Sequence, residues 1–397
     1  MTDTVLIKFI DEEGIQMTDI MQVPIDITDD SLRQIIKKDN ILYIDGNVLT
    51  GSIKNSLNGD VDYESVFLIR VANRKPTAPA TFCSSSYSGH EGPILKCKII
   101  NKQLAVTVGD DKTVRFWDLI TKTQFMINKA HDHWVLHCEM YKNFVVTAGM
   151  DSKICVFDFK GNLIDQIKKQ RLGISSFVVK NDLIFSGARD GSVIVLSYER
   201  ECFKIIAEFG GLNSITAMCV SDRYIMFGDS KGKICVYCLK TYKKVCELKG
   251  HPSKINVVVN NAKYLISRDD DGNVIVFNLN DFSICYRLKH NREVISISIS
   301  PDELSFATGG FDETVQIWNL SKGSNLGKYF HIGPVYKIMY YDDLIISCSK
   351  DKMIRMFKVS KNKVISDLSV DDEIYDFDYS FNLLITGLKN SKVNFFY

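Results

Sequence analysis

The sequence has no long apolar run and no phosphate-binding loop. No stretch of eighteen apolar residues occurs in its 397 residues, so no membrane-spanning helix is predicted. The Walker-type string of Gly, four residues, Gly-Lys and Ser or Thr is absent, so any nucleotide hydrolysis would belong to another protein. The start, MTDTVLIKFIDEEG, lacks a basic segment followed by an apolar one, so a secretory signal is not expected.

The net charge argues against a protein attracted to nucleic acid along its whole length, and the cysteine pattern argues against a disulfide-rich secreted protein. The formal net charge is +1, so the chain as a whole is not attracted to nucleic acid. Residues 1–75 nevertheless hold 8 Lys/Arg and 13 Asp/Glu, and the remainder holds 41 and 35, which suggests two different partners. The eleven cysteines are scattered and indicate reduced, buried residues of an intracellular protein. Several lie in segments predicted to be β-strands: Cys97, Cys138, Cys155, Cys219, Cys235 and Cys285.

One segment, Gly89 to Asp118, contains the pattern that the rest of the chain repeats. After a Gly-His pair, two runs of alternating apolar and polar residues are separated by a polar break. A tight turn at 109–113 leads to a third run that ends in Phe116, Trp117 and Asp118. Alternation with period two and polar turns predicts short antiparallel strands.

The turn acid of this segment marks a repeat along the whole chain. Successive markers are separated by 40, 39, 41, 40, 41, 39 and 39 residues. They are Asp111, Asp151, Asp190, Lys231, Asp271, Asp312, Asp351 and Asn390. A hydroxyl residue usually stands four positions before the marker and an aromatic residue six positions after it. A period near forty with these residues in phase predicts a mainly β, eight-bladed β-propeller.

The repeated polar residues predict a hydrogen-bond network in each repeat. The opening histidines (His90, His131, His251, His290 and His331) precede their marker acids by 20 to 22 residues. That spacing lets each His bridge the acid and the hydroxyl, while a Trp ring nitrogen can donate to the hydroxyl. Two repeats hold the full set: His90, Thr107, Asp111 and Trp117, and His290, Thr308, Asp312 and Trp318. A catalytic triad repeated around a ring makes no chemical sense, so these sets are predicted to be structural and no enzyme activity is expected.

Residues 1–72 predict a separate α+β domain. Strands are expected at Thr4–Phe9, Ile20–Ile25, Ile41–Ile44 and Val66–Val71, with Val48-Leu49 as a further candidate, and a helix is expected after Thr28. The helix face would comprise Leu32, Ile35 and Ile36. This order describes a β-grasp, the ubiquitin-like layout. A linker is predicted at residues 73–88, and the propeller is predicted at residues 89–397. The last repeat contains only three strand-like segments, so Thr81–Ser86 is predicted to supply its fourth strand.

The combination resembles a known family. The repeats resemble WD repeats. VLIKFIDEEG, CSSSYSGHEGPIL, GDDKTVRFWDL and DHWVLHC look like the Notchless family of ribosome-assembly factors. The third repeat lacks the opening Gly-His, and the fourth has Phe227 and Lys231 where hydroxyl and acid are expected.

The resemblance implies a non-catalytic factor that works in the nucleus, in nucleolus and nucleoplasm. Its propeller would dock as a monomer on the maturing large ribosomal subunit, which includes the 5S RNA-protein particle. The metal-ion-dependent adhesion site of midasin, an AAA ATPase, would grasp the ubiquitin-like head. Glu64, in the loop NGDVDYES, matches the family's carboxylate that completes the partner's Mg²⁺ site. Asp60 and Asp62 are neighbours that could replace it, and the chain would carry no cofactor of its own.

Three features leave alternatives open. The head and propeller also suit a substrate adaptor for ubiquitin-ligase or proteasome machinery, in which case the head should present an apolar Ile/Leu/Val patch. Trp134 is either an exposed contact or a residue packed between repeats. The basic run Lys168-Lys169-Gln170-Arg171 is either a surface loop, an RNA phosphate contact or a nuclear-entry signal.

Overall fold

The computed structural model describes residues 4–10, 16–36, 41–44, 47–49, 52–56, 65–72, 83–200, 202–210 and 212–396. Within these ranges the chain is almost entirely β-structure, with 37 strands and two short helices. Neither helix has the length and apolar character needed to cross a bilayer.

The N-terminal residues form one five-stranded sheet with a helix on it. Its elements are β1 (Thr4–Ile10), β2 (Met21–Pro24), α1 (Asp29–Ile36), β3 (Ile41–Ile44), β4 (Asn47–Val48), α2 (Ile53–Ser56) and β5 (Val66–Ala72). The strand order is β2-β1-β5-β3-β4. β1 and β5 are parallel, whereas β2 pairs with β1, and β3 with β5 and β4, in antiparallel fashion. The parallel central pair requires the crossover that carries α1.

Alternation along β1 explains this small core. Val5, Ile7 and Phe9 are fully buried, and the residues between them are partly exposed. From α1, Leu32 is fully buried and Ile36 packs against the same cluster. Ile35 is 41% exposed, so the apolar face of the helix is narrower than the sequence predicts. An eight-residue helix has room for only one buried stripe.

The remaining strands form eight antiparallel four-stranded sheets, called sheets 1 to 8. β6 (Cys83–Ser88) precedes them. Sheet 1 contains β7 (Ile94–Ile99), β8 (Leu104–Gly109), β9 (Val114–Asp118) and β10 (Thr123–Asn128). Sheet 2 contains β11 (Val135–Tyr141), β12 (Phe144–Gly149), β13 (Lys153–Phe157) and β14 (Leu163–Lys168). Sheet 3 contains β15 (Ile174–Lys180), β16 (Leu183–Ala188), β17 (Val193–Glu199) and β18 (Cys202–Phe209). Sheet 4 contains β19 (Ile215–Val220), β20 (Tyr224–Asp229), β21 (Lys233–Cys238) and β22 (Lys244–Lys249).

The second half of the chain repeats this arrangement. Sheet 5 contains β23 (Ile255–Asn260), β24 (Tyr264–Asp269), β25 (Asn273–Asn278) and β26 (Ile284–Lys289). Sheet 6 contains β27 (Val294–Ile299), β28 (Ser305–Gly310), β29 (Thr314–Asn319) and β30 (Asn325–Phe330). Sheet 7 contains β31 (Val335–Tyr341), β32 (Leu344–Ser349), β33 (Met353–Lys358) and β34 (Lys363–Ser369). Sheet 8 contains β35 (Ile374–Ser380), β36 (Leu383–Leu388), β37 (Lys392–Phe396) and, paired with β37, β6.

The first strands of the sheets follow one another in a ring. Each contacts the first strand of the sheet before it and of the sheet after it, and β35 of sheet 8 contacts β7 of sheet 1. The C-terminal residues provide only three strands of sheet 8, and β6 pairs with β37 to provide the fourth. Because β6 precedes sheet 1 in the chain, this pairing joins the two ends of the ring and covers an edge that would otherwise be open.

Small residues in the second strands let neighbouring sheets approach each other. A Cβ added at Gly187 in sheet 3 would lie 2.7 Å from Ile215 Cγ2 of sheet 4, and one at Gly228 would lie 2.6 Å from Ile255 Cγ2 of sheet 5. The branched side chain of each following sheet therefore fills the space that the missing Cβ leaves. The corresponding residue of sheet 5 is Arg268, which crosses to sheet 6 and pairs with Glu293 at 3.2 Å.

Candidate functional site

The polar residues of sheet 1 form one continuous network between its second and third strands. His90 Nδ1 donates to Asp111 at 2.9 Å, and the Thr107 hydroxyl donates to His90 Nε2 at 2.8 Å. Trp117 Nε1 donates to Thr107 Oγ1, also at 2.8 Å. Burial lowers the pKa of His90, so its ring is neutral with the proton on Nδ1. All four predicted residues are thus joined.

The carboxylate of Asp111 is the most heavily used acceptor of this network. It accepts from the backbone N–H of Glu91 at 3.0 Å and from that of Thr113 at 3.1 Å. Arg115 Nη2 lies 3.3 Å from it. Burial alone would raise the pKa of Asp111, but the hydrogen bond from His90 and those from the backbone donors hold the pKa well below its ordinary value. Asp111 therefore fixes the turn, the opening loop and the imidazole together.

Sheet 6 holds the second complete set. His290 Nδ1 donates to Asp312 at 2.9 Å, Thr308 donates to His290 Nε2 at 2.9 Å, and Trp318 Nε1 donates to Thr308 at 2.8 Å. The geometry repeats that of sheet 1 to within 0.1 Å. The hydroxyl of Thr308 is fully buried, as is that of Thr107, so substrate has no access to either. The sets hold strands together rather than presenting a nucleophile.

Sheets 2, 5 and 7 contain the three-membered set without the tryptophan. In sheet 2, His131 bridges Asp151 and Thr147. In sheet 7, His331 bridges Asp351 and Ser347, which also accepts from the Tyr329 hydroxyl at 3.1 Å. His331 and Asp351 are both buried, and the charge of His331 is one cause that lowers the pKa of Asp351 to about 2 despite its burial.

The acid assigned to sheet 5 from the marker spacing was wrong. His251 donates to Asp269 at 2.9 Å, not to Asp271. The Asp269 carboxylate accepts from the N–H of Asn273 at 2.9 Å. In sheet 1 the marker acid accepts from the corresponding N–H, that of Thr113. A carboxylate at the marker position, or one two residues before it, can accept from the same backbone N–H. The spacing of the repeat therefore does not show which of the two positions holds the acid.

Sheets 3 and 4 contain substitutes that the repeat pattern did not reveal. In sheet 3, Gln170 occupies the histidine position, accepts from Ser186 Oγ at 2.6 Å and donates to the Ser192 backbone at 3.0 Å. In sheet 4 the acid is Asp229, two residues before Lys231, and Asn213 donates to it at 2.7 Å. The glutamine side chain can bridge two groups as histidine does, and Asp229 stands where Asp269 stands in sheet 5.

Sheet 8 lacks this network. Val370 stands 39 residues after His331, in the histidine position, and Asn390 replaces the acid with one bond, from the Lys392 N–H at 3.3 Å. The Thr386 hydroxyl and the Asn394 side-chain oxygen are buried without a hydrogen-bond partner among the described residues.

Charged side chains instead connect sheet 8 to its neighbours. Asp376 accepts from the Cys97 N–H of sheet 1 at 2.8 Å and pairs with Lys337 of sheet 7 at 2.7 Å. Asp378 accepts from the Ile99 N–H at 2.8 Å. In sheet 6, Ser296 and Ser298 occupy the same two positions and accept from sheet 7 in the same way. The joint between the chain ends thus uses carboxylates where sheet 6 uses hydroxyls.

The cysteines do not form disulfides among the described residues. Burial raises the pKa of Cys97, Cys138, Cys219 and Cys348, which are inert in such surroundings. Cys285 is exposed, contrary to expectation, because it lies on the outermost strand β26. Cys235 and Cys238 have a Cys-x-x-Cys spacing, but their odd offset along β21 places them on opposite faces. No group of three His, Cys, Asp or Glu side chains in the described ranges is placed to hold a metal.

Three further predictions from the sequence have different outcomes. Glu64, the predicted ligand for a partner's magnesium, lies outside the described residues, as do Asp60 and Asp62. Trp134 is 48% exposed, in the loop before β11, and is not packed between sheets. The basic run 168–171 is not uniformly exposed, because Gln170 is buried in the network of sheet 3.

Repeats of about forty residues, four-stranded sheets arranged in sequence and buried His–Asp pairs together define a class. The chain is a WD-repeat β-propeller protein. The family model described as "WD domain, G-beta repeat" matches residues 81–118, and the model described as "Vps42 beta-propeller" matches residues 202–388.

Individual relatives are similar in sequence at a low level. Actin-interacting protein 1 of Caenorhabditis elegans is 27% identical over 241 residues, which is 55% of this chain and 38% of that protein. Autophagy-related protein 16 of Arabidopsis thaliana is 24% identical over 62% of this chain and 51% of its own length. DDB1- and CUL4-associated factor 13 of Danio rerio is 21% identical over 74% and 61%. The chain spans about 38–40% of the length of the first relatives it matches.

Solved structures show the same fold. Sqt1 of Saccharomyces cerevisiae superimposes with a TM-score of 0.71 at 14% identity, over 78% of this chain and 97% of that one. Sqt1 of Chaetomium thermophilum, solved with the N-terminus of ribosomal protein L10, gives 0.71 at 14% identity, over 78% and 98%. The computationally designed protein Ika8 gives 0.73 at 20% identity, over 79% and 98%.

Proposed function

We propose that this protein is a non-catalytic assembly factor of the large ribosomal subunit, built from an eight-bladed propeller and a ubiquitin-like head. The propeller docks on the pre-ribosome, in the neighbourhood of the 5S RNA-protein particle. The head is held by the metal-ion-dependent adhesion site of midasin, whose ATP-driven movement then remodels the particle. The protein acts as a monomer in the nucleolus and nucleoplasm, without a cofactor of its own.

The observation that carries this proposal is the order of the two parts. A mixed five-stranded sheet with a parallel central pair and a single packed eight-residue helix precedes eight four-stranded sheets. This is the combination that distinguishes the Notchless family from other WD-repeat proteins. The fold similarity to Sqt1, one structure of which contains a segment of ribosomal protein L10, is compatible with a ribosomal partner.

The proposed contact with midasin depends on Glu64. Mg²⁺ prefers near-octahedral oxygen ligands, so a carboxylate from the head would complete a shell that the partner leaves open. The fully buried core of the head, with Val5, Ile7, Phe9 and Leu32, would transmit a pull without unravelling locally. The metal belongs to the partner, and this chain contributes one ligand.

The test is binding of the full chain to a midasin adhesion domain, with and without Mg²⁺. We expect metal-dependent binding that Glu64→Ala abolishes, because removing a charged ligand from a buried contact costs several kcal/mol, about 2–5. Glu64→Asp should also fail, since its carboxylate is withdrawn by one methylene. Asp26→Ala, at an exposed acid of the described head, is the matched control and should bind as the native protein does. Binding that resists a chelator, or that survives Glu64→Ala, would overturn the proposal.

One observation favours a second function, the substrate adaptor. On the outer face of the N-terminal sheet, Leu6 and Lys8 of β1 lie beside Val66 and Leu68 of β5. Leu68 is 51% exposed, and the other three are partly exposed. An apolar face of this kind is what docking on degradation machinery requires. The substitution Leu68→Asp separates the two functions. The variant should keep Mg²⁺-dependent binding to midasin, and loss of that binding in the variant would favour the adaptor.

A further inference from the structure

An exposed tryptophan stands on the same face of the ring as the His–Asp sets. Trp134 is 48% exposed, whereas Trp117 is 1% exposed. Its loop is fixed by two hydrogen bonds: its carbonyl accepts from the Met150 backbone N–H at 2.8 Å, and its own N–H donates to the ring atom Nδ1 of His133 at 2.7 Å. The two rings meet edge to face with centroids 5.3 Å apart. The indole is therefore presented to solvent by a fixed loop.

Apolar side chains of the next sheet extend this surface. Leu172, in the loop before β15, is 53% exposed. Between it and Trp134 lies Met150, whose Sδ would be 2.9 Å from a Cβ at Gly173. The absence of a side chain at Gly173 lets the Met150 thioether lie across the junction between sheets 2 and 3. Trp134, Met150 and Leu172, together with the arginines described next, are called the Trp134 surface.

Two arginines lie next to these apolar residues along the backbone. The Arg189 N–H donates to the Gly173 carbonyl at 3.0 Å, and the Arg171 N–H donates to Asp190 at 2.7 Å. Both arginines are exposed, and neither makes an ion pair with the described residues. Asp190, which follows Arg189 in the chain, also accepts from the Ser192 N–H at 2.9 Å and from its hydroxyl.

The neighbouring cations differ from these two arginines. Lys153 pairs with Asp132 at 2.8 Å, and Lys169 pairs with Glu208 at 3.6 Å. Both lysines are thus paired with a carboxylate, whereas within the described part of the chain Arg171 and Arg189 are not. The surface thus combines an apolar centre of three side chains with two exposed arginines that form no ion pair with the described residues.

We propose that the Trp134 surface binds an acidic peptide segment that carries a bulky apolar side chain. The apolar side chain would cover Trp134, Met150 and Leu172, and carboxylates on either side of it would pair with the guanidinium forks. Exposed Trp and Arg are the residues that contribute most to binding at interfaces. The aliphatic share of the surface, Met150 and Leu172, favours a peptide over stacked bases, which need a series of aromatic faces. This surface is separate from the head, and the proposal does not depend on the contact with midasin.

The experiment uses the full chain and four labelled probes in fluorescence anisotropy. The first is an acetylated pentapeptide of four glutamates around a central phenylalanine. The second has alanine at the centre, the third has lysines in place of the glutamates, and the fourth is a decamer of uridylate. We expect the first peptide to bind, and the second and third to bind at least about tenfold more weakly. Quenching of the emission of Trp134 should accompany binding of the first.

Variants locate the binding. Trp134→Ala and the double variant Arg171→Glu, Arg189→Glu should each weaken binding of the first peptide about tenfold or more, and the double variant should gain affinity for the lysine peptide. The matched controls are Phe311→Ala and Arg292→Glu, exposed residues of the loops and turns around sheet 6, which should change nothing. Far-ultraviolet circular dichroism and thermal melting of each variant exclude misfolding. Equal binding by native and Trp134→Ala protein, or binding of uridylate alone that these variants abolish, would overturn the proposal.

Discussion

Sheets 1 and 8 are neighbours in the ring but are stabilised in different ways. In sheet 1 the Thr107 hydroxyl lies 2.8 Å from both His90 Nε2 and Trp117 Nε1, whereas in sheet 8 the equivalent Thr386 hydroxyl is buried with no partner among the described residues. Sheet 8 makes up for this with its connections to other sheets, through Asp376 and β6. The comparison teaches that a repeat can lose its internal network when bonds across its borders replace it.

The tryptophan of sheet 1 also serves this border. Trp117 packs at 6.3 Å from the ring of Tyr87 on β6 and at 6.0 Å from that of Phe395 on β37. One side chain therefore donates to the network of its own sheet and contributes apolar contact to sheet 8. The complete set in sheet 1 lies where the two ends of the chain meet, and its loss should weaken the closure of the ring.

The largest expected effect comes from removing the acid of sheet 1. Asp111→Ala leaves His90, two backbone N–H groups and Arg115 without their shared acceptor, so we expect a loss of about 3–5 kcal/mol in the free energy of unfolding. Asn390→Ala, the same position in sheet 8, removes one bond and should cost less than about 1 kcal/mol. Urea unfolding followed by circular dichroism measures both. Equal losses would show that the two positions do the same work.

A smaller effect separates the two buried hydroxyls. Thr107→Val removes the shared partner of His90 and Trp117 and should cost about 1–3 kcal/mol, because two buried groups lose a bond. Thr386→Val keeps the shape and removes a hydroxyl that has no partner, so stability should stay the same or rise. Both substitutions replace the same hydroxyl group by a methyl group, so each variant serves as the control for the other. A loss at Thr386 as large as that at Thr107 would mean that sheet 8 has a network of its own.

Much of this arrangement could be predicted from the sequence, because periodic residues report periodic geometry. The residue after each of the eight markers has a positive φ, between 63° and 79°. At three of these positions it is glycine, Gly191, Gly232 and Gly272, but elsewhere it is Lys, Ser or Glu, so composition alone would have missed the turn that the spacing found. The closing strand was predictable from a count of strands, since three strands leave an edge unpaired.

Other features could not be predicted because different residues satisfy the same donor. Asp269 and Asp229 replace the marker acid from two residues away, and Gln170 and Asn213 replace histidine. A pattern of residue types does not show which side-chain oxygen lies within hydrogen-bond distance of a particular backbone N–H. The exposure of Trp134 could not be predicted for a similar reason, because the loop geometry that fixes it depends on Met150 in the next turn.

The smallest expected effect is a dependence on pH that distinguishes histidine from glutamine at the same position. Burial lowers the pKa of His331, and of His90 and His251, below the ordinary value of 6.5. The unfolded chain therefore binds more protons than the folded one just below that pH, and stability falls as the pH falls. Each such histidine contributes at most about 1.4 kcal/mol per pH unit. The carboxyl of Asp351, with a pKa of about 2, adds a further loss only below its ordinary value of 3.8.

Sheet 3 shows that glutamine can occupy the histidine position, because Gln170 bridges Ser186 and the Ser192 carbonyl there. His331→Gln should therefore retain most of the stability at pH 7.5 and lose less of it than the native protein on transfer to pH 5.5. His133→Gln, at an exposed histidine outside the networks, is the control and should leave the slope unchanged. Urea unfolding at the two pH values gives the comparison. An unchanged slope in His331→Gln would show that protonation at this site does not couple to folding, and the acid sensitivity would then have to arise in the sheets whose histidines remain.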